Sequence, residues 1–168
     1  MVVWRVTRRA HAEQPLTGEG ARRFGGRWNH VGTSLVYTSG TLSLAVLEYL
    51  VNLPISDLPD DLVSIQVQVP DDLARAELAI DDLPENWRTF PASEELKDIG
   101  SDWVREGMTP ILTLPSVVIP NELNYLINPA HKEVRRVKVV SVDPFALDVR
   151  LYRARKRARK AAESKRRR

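Results

Sequence analysis

Three stretches of this chain carry residues whose types and spacing can do chemistry. The first is Phe24-Gly25-Gly26-Arg27-Trp28-Asn29. Two glycines allow backbone angles and close approaches that other residues forbid. An arginine set directly after them suits an anion clamp, because its planar guanidinium can hold a phosphate through two parallel hydrogen bonds. A glycine turn carrying a surface arginine is the plainer reading of the same residues. The second stretch surrounds Glu48, the only charged residue between Val31 and Ser56. Its neighbours Leu44, Ala45, Val46, Leu47, Tyr49, Leu50 and Val51 predict a helix apolar nearly all round, hence buried on most sides. A carboxylate there bears a desolvation cost unless something pairs with it. It is either half of a structural ion pair or an acid in a cleft, its negative charge available to a cationic reaction centre. The third stretch runs from Pro115 to His131. Ser116 lies between two apolar segments, where a strand end would set its hydroxyl at a rim. Asn124 and Asn128 are expected to tie down backbone. Ser116 has no glycine-flanked elbow and no histidine in triad register, which argues against a serine hydrolase. There is no cysteine, and His11, His30 and His131 are far apart, so no metal site is expected.

The elements that must position these groups follow from periodicity. Val2 to Thr7 predicts a strand with Trp4 and Val6 on one face. Residues 8–34 are polar and glycine-rich, a long loop region. Leu35 to Thr38 is a short strand, and Ser39-Gly40-Thr41 gives a turn and cap before a helix ending near Asn52. Pro54 and Pro59 mark a connection. Leu62 to Val69 alternates, with Val63, Ile65, Val67 and Val69 on one side, and predicts a half-buried strand. Residues 70–91 are expected to be mostly loop. Ser93 is expected to cap a helix to about Glu106, with Leu96, Ile99, Trp103 and Val104 on one face. Ile111 to Leu114 and Val117 to Ile119 predict short strands, and Val134 to Val142 a long last one.

Size and composition bound the rest. A chain of 168 residues, 43% hydrophobic and 28% charged, is one globular domain with a real core. No stretch has the roughly 20 apolar residues of a membrane span, and the start does not read as a secretory signal. A cytoplasmic protein with no membrane partner is expected. The net charge of +3 hides an asymmetry: residues 150–168 hold eleven basic side chains and one acid, leaving fourteen basic and twenty-one acidic over the other 149 residues. The basic tail is expected to be helical or disordered, because its like charges repel at i,i+4. It is either a solubilising end or a contact for nucleic acid, an acidic partner or the chain's own acidic domain.

At these residues the sequence resembles the RES domain family. The resemblance rests on Gly25-Gly26-Arg27-Trp28-Asn29, Val36-Tyr37-Thr38-Ser39 and Leu44-Ala45-Val46-Leu47-Glu48. Later blocks follow at Gly100-Ser101-Asp102-Trp103, Pro115-Ser116-Val117-Val118-Ile119-Pro120 and Asn124 to His131. Asn52 and Lys132 stand where the family pattern has histidine and proline. The resemblance implies a domain over residues 1–151, with 152–168 as the tail. It implies a compact α/β (α+β) fold with split, mostly antiparallel sheets, similar to ADP-ribosyltransferase toxins. It also implies the toxin half of a toxin–antitoxin pair, acting on NAD⁺ as substrate without a metal. Such a toxin depletes NAD⁺ by hydrolysis or phosphorolysis, or transfers ADP-ribose to a protein. The implied partners are a helix-turn-helix antitoxin of the Xre type and a second copy in a homodimer. Arg27, Trp28, Tyr37, Ser39, Glu48 and Ser116 would then surround the nucleotide, with Arg27 on the pyrophosphate and Tyr37 stacked on a ring. Glu48 would face the ribose, whose charge turns positive as nicotinamide leaves, and Ser116 would bond the ribose or position the acceptor. Two other readings stay open: a nucleic-acid-binding module working through the tail, and an inactive scaffold of the same fold.

Overall fold

A computed structural model describes residues 1–53, 59–148 and 150–151. The alternation read in the sequence becomes a seven-stranded sheet. Strands β1 (Val2–Arg8) and β3 (Leu62–Gln68) pair antiparallel along their whole length, from Val2 opposite Gln68 to Arg8 opposite Leu62. With β2 (Val36–Ser39), β4 (Arg75–Glu77), β5 (Ile111–Pro115), β6 (Leu123–Ile127) and β7 (Lys138–Pro144), the order is β4-β5-β6-β2-β1-β3-β7. Only β4 and β5 run parallel; every other pair is antiparallel. The junction of β1 with β2 is a single register pair, Trp4 opposite Ser39, whereas every other junction has three or more. The split sheets expected from the family resemblance therefore take the form of two halves of one sheet, joined at a narrow seam.

Each face of the sheet buries its own apolar set. On one, Val3, Val36, Val63, Ile65, Val67, Ile111 and Ile127 form a continuous core. The other is divided. Over one half, Val6 and Leu62 pack with Ala45, Val46 and Leu50 of α2 (Leu42–Val51). Over the other, Leu112, Leu114 and Leu126 pack with Leu96 and Trp103 of α3 (Glu94–Glu106) and with Trp28. The Thr41 hydroxyl caps α2, accepting from Leu44 N at 3.1 Å. Ser93 stands at the N-cap of α3 but its hydroxyl makes no cap bond, and Gly107 ends that helix in the left-handed region at φ 62°.

Several expected boundaries move. The loop of residues 8–34 contains a short helix, α1 (Glu19–Phe24), and the loop of 70–91 supplies β4. Val117 to Ile119 is not a strand, because the backbone N–H groups of Val118 and Ile119 donate to the Ser116 hydroxyl instead of to a neighbouring strand. The strand beside β5 is β6. Residues 132–136 wind into a 3-10 turn, so the last strand starts at Lys138. Pro54 and residues 152–168 of the basic tail lie outside the described residues. Among those described, no helix is long and apolar enough to cross a membrane.

Candidate active site

Each residue of the Gly25-to-Asn29 motif has its own mechanical task. Gly25 takes φ 70°, a left-handed angle that closes α1. Gly26 lies against the Tyr37 hydroxyl, where a Cβ would overlap it. Trp28 points into the second core and is 3% exposed. Asn29 is fully buried and knots the loop: its amide nitrogen reaches the carbonyls of Ala21 (2.9 Å), His30 (2.9 Å) and Thr33 (3.1 Å). Its side-chain oxygen accepts from the Tyr37 hydroxyl at 2.7 Å, and that hydroxyl accepts from Trp28 N at 3.1 Å. Burial pushes the Tyr37 phenol well above its ordinary range, so it stays neutral and keeps donating.

Only Arg27 is left facing outward. Its Nη1 donates to the carbonyls of Trp87 (2.9 Å) and Thr89 (3.0 Å). Its Nε and Nη2 make no hydrogen bond to any described residue. Burial pulls the guanidinium pKa down, while the charge of Glu48 opposes that shift. The two side chains thus sense each other without forming an ion pair among the described residues.

Glu48 projects from α2 beside the seam between β1 and β2. One carboxylate oxygen is fully engaged: Oε1 accepts from Ser116 Oγ and from Asn124 Nδ2, each at 2.6 Å. Oε2 makes no hydrogen bond to any described residue. The restraint continues outward, since Ser39 Oγ donates to Asn124 Oδ1 at 2.7 Å. Ser116 is 0% exposed and its hydroxyl is saturated. It spends its one proton on Glu48 and both lone pairs on Val118 N (3.1 Å) and Ile119 N (3.0 Å).

Two adjoining cavities meet here. One, of about 260 Å³, is lined by Trp4, Tyr37, Ser39, Glu48, Tyr49 and Asn124 among others. The other, of about 520 Å³, is lined by Phe24, Arg27, His30, Phe90 and Lys97 among others. Asn52 lines both and is the residue they share. It also closes α2, donating from Nδ2 to the Glu48 carbonyl at 2.8 Å.

The structure therefore brings Tyr37, Ser39 and Glu48 together on one cavity, with Arg27 on the next. Two expected roles do not survive. Trp28 cannot flank a ligand, because its ring is spent on the core. Ser116 has no free hydrogen-bonding capacity for a sugar or an acceptor, so its part is to aim Glu48. Sequence reasoning missed Asn124, expected only to tie down backbone. Asn128 does that, bonding Val104 O (3.0 Å) and Ala130 N (3.0 Å), but Asn124 holds the carboxylate. The available signal was its period: Asn124 shares a strand face with Leu126, a polar end on an apolar row.

A profile of the RES domain matches residues 2–149, nearly all of the described chain. The chain belongs to the RES domain family. Among its RES relatives is a "Prs ADP-ribosylating toxin" from Sphingobium sp. (strain YBL2), 38% identical over 154 residues, covering 89% of this chain and 96% of the relative. A "Toxin Res" from Yersinia enterocolitica is 37% identical over 153 residues, covering 90% and 99%. Among solved structures, the M. tuberculosis MbcT–MbcA toxin–antitoxin complex aligns with TM-score 0.70 and 17% identity, over 91% of this chain and 87% of that one. That likeness concerns the fold, and it agrees with a single α/β domain around a mixed sheet. Arg27, Glu48 and Ser116, expected from the resemblance to share the site, take unequal places in the geometry. Two face cavities and the third works from behind.

Proposed function

We propose that this RES domain is the toxin of a toxin–antitoxin pair and that it breaks the nicotinamide–ribose bond of NAD⁺. The observation that carries the reading is the state of Glu48: one oxygen fixed by Ser116 and Asn124, the other free at a cavity whose neighbour holds Arg27. NAD⁺ is itself asymmetric, with a cationic nicotinamide ring at one end and an anionic pyrophosphate in the middle. The Glu48 carboxylate faces one cavity, which Arg5 also lines, and Arg27 faces the next, so an anionic oxygen and a cation are both presented to such a molecule. Arg27, with Nε and Nη2 available, is suited to the pyrophosphate and converts binding into orientation. As nicotinamide leaves, its ribose gains positive charge, and a fixed carboxylate beside it stabilises that charge without having to reorganise. The Tyr37 ring, whose hydroxyl is occupied on the Asn29 side, supplies a flat wall to the same cavity.

The acceptor separates three outcomes that share this first step. Water gives ADP-ribose, inorganic phosphate gives the 1″-phosphate, and a protein side chain gains the mass of ADP-ribose. Transfer to protein is favoured as the second reading by the 38% identical relative, named as an ADP-ribosylating toxin. Incubating the purified chain with NAD⁺, with and without phosphate, and resolving the products by mass spectrometry tests the proposal. Release of free nicotinamide is expected in every case. Intact NAD⁺ after prolonged incubation would refute the cleavage reading. The structural neighbour is solved as a toxin–antitoxin complex, which supports an antitoxin as the partner of this chain; that it is a helix-turn-helix protein covering the cleft is what the family resemblance implies.

A further inference from the structure

The larger cavity carries a feature that the cleavage chemistry leaves unused. Phe24 is 82% exposed and Phe90 is 87% exposed, the two most exposed of the large apolar side chains among the described residues. They come from distant parts of the chain, the end of α1 and the loop before α3, yet both line the cavity that holds Arg27. Single exposed apolar residues need no explanation, but two phenyl rings on one cavity form an apolar site with few other uses in a monomer. Both are tethered. Phe24 is followed by Gly25 and Gly26, whose N–H groups donate to Ala21 O (2.8 Å) and Asn29 O (3.0 Å). The chain entering Phe90 is gripped by Arg27 itself, through the carbonyls of Trp87 and Thr89. Charge in the cavity points the same way. Lys97 is paired with Glu94, and His30 with Asp98 at 2.7 Å, so Arg27 is the cation left for phosphate.

Resting on the NAD⁺ reading, we propose that this cavity is a purine subsite in which the adenine ring stacks against Phe24 and Phe90 while Arg27 holds the adjoining phosphates. Phenyl faces stack on any base, and nothing in a phenyl ring reads a base edge. The subsite therefore binds adenine and hypoxanthine dinucleotides alike. Because it lies away from the bond that breaks, its binding energy is realised equally in ground and transition states, and its loss appears in KM.

The test is a set of variants at exposed positions: Phe24→Leu, Phe90→Leu, the double variant, and Phe90→Tyr as the conservative control. Two quantities are measured on each: kcat and KM for NAD⁺, and Kd for ADP by calorimetry. The expected result is a rise of roughly tenfold or more in KM and in the ADP Kd for the double variant. Its kcat should stay within about twofold, and Phe90→Tyr should match the parent. Unchanged KM and unchanged ADP affinity would overturn the subsite and leave the aromatic pair to a protein contact, even with NAD⁺ cleavage intact. If the parent releases no nicotinamide, the cleavage reading fails by itself. The ADP titration then decides the subsite alone: weaker binding in the variants upholds it, and equal binding overturns it.

Discussion

At the residue scale, one carboxylate is held by one of its two oxygens. Ser116 and Asn124 both donate to Glu48 Oε1, so losing either loosens the same atom. Ser116→Ala also strands the half-buried N–H groups of Val118 and Ile119, a cost of about 1 kcal/mol or more. It is expected to lower Tm by several degrees and kcat by more than KM rises, as read by thermal melts and steady-state kinetics. The kcat losses of Ser116→Ala and Asn124→Ala should combine to less than their product, since both act through one oxygen. Parental kcat in both single variants would remove their positioning role. Tyr37 gives a pH prediction. Its phenol is raised by burial above the ordinary 10.0, so it is neutral in the fold and ionises when unfolded. The stability it contributes is complete below pH 10 and declines as pH rises further. Ultraviolet titration should show a tyrosine that ionises only with unfolding, absent in Tyr37→Phe. Much of this site could be read from residue types. A lone acid on an apolar helix and an arginine after two glycines both announce themselves. The bonding of Ser116 could not be read, because it depends on how the chain turns after β5. Trp28 was misplaced because the resemblance set it around the nucleotide, while its ring packs in the core.

At the scale of elements, the site depends on α3 docking against the loop of residues 25–30. Gly100 makes that possible: a Cβ there would overlap the Trp28 carbonyl. Ser101 completes the contact, its Oγ accepting from His30 N at 3.0 Å. In an exposed helix, Gly→Ala stabilises by up to about 1 kcal/mol. Here overpacking reverses the sign, and Gly100→Ala should cost about 1–3 kcal/mol net and raise KM by displacing Arg27. Denaturant unfolding with NAD⁺ kinetics checks both; a stabilised variant with parental KM would contradict the docking. Elements with strong periodicity appear where the sequence places them, as β1, β3, α2 and α3 do. The others depended on partners: β4 is three residues that exist as a strand only beside β5, and β6 has polar Asn124 at a site-facing position. The run Val117 to Ile119 looks like a strand in composition, but its N–H groups are claimed by a side chain two or three residues away.

At the scale of the whole molecule, function and charge are divided along the chain. The family match ends at residue 149, and the domain before the tail carries an excess of acids. Removing residues 152–168 is expected to leave kcat and KM for NAD⁺ within about twofold. Any affinity for nucleic acid should disappear with the tail and, in the full chain, fall steeply with salt. Loss of turnover on that truncation would move the tail into the site. We assign catalysis to the two cavities that share Asn52, one lined by Glu48 and the other by Arg27. That assignment is tested most directly by following nicotinamide release from NAD⁺ by Glu48→Gln beside the parent chain, with circular dichroism as the check on folding. The substitution keeps the side chain's shape and an oxygen to accept from Ser116 and Asn124, while it removes the charge and puts an amide NH2 in place of the free Oε2. A fall of roughly 10²–10³-fold in kcat with an unchanged spectrum is the predicted result. Nicotinamide released at the parental rate by the folded variant would contradict it.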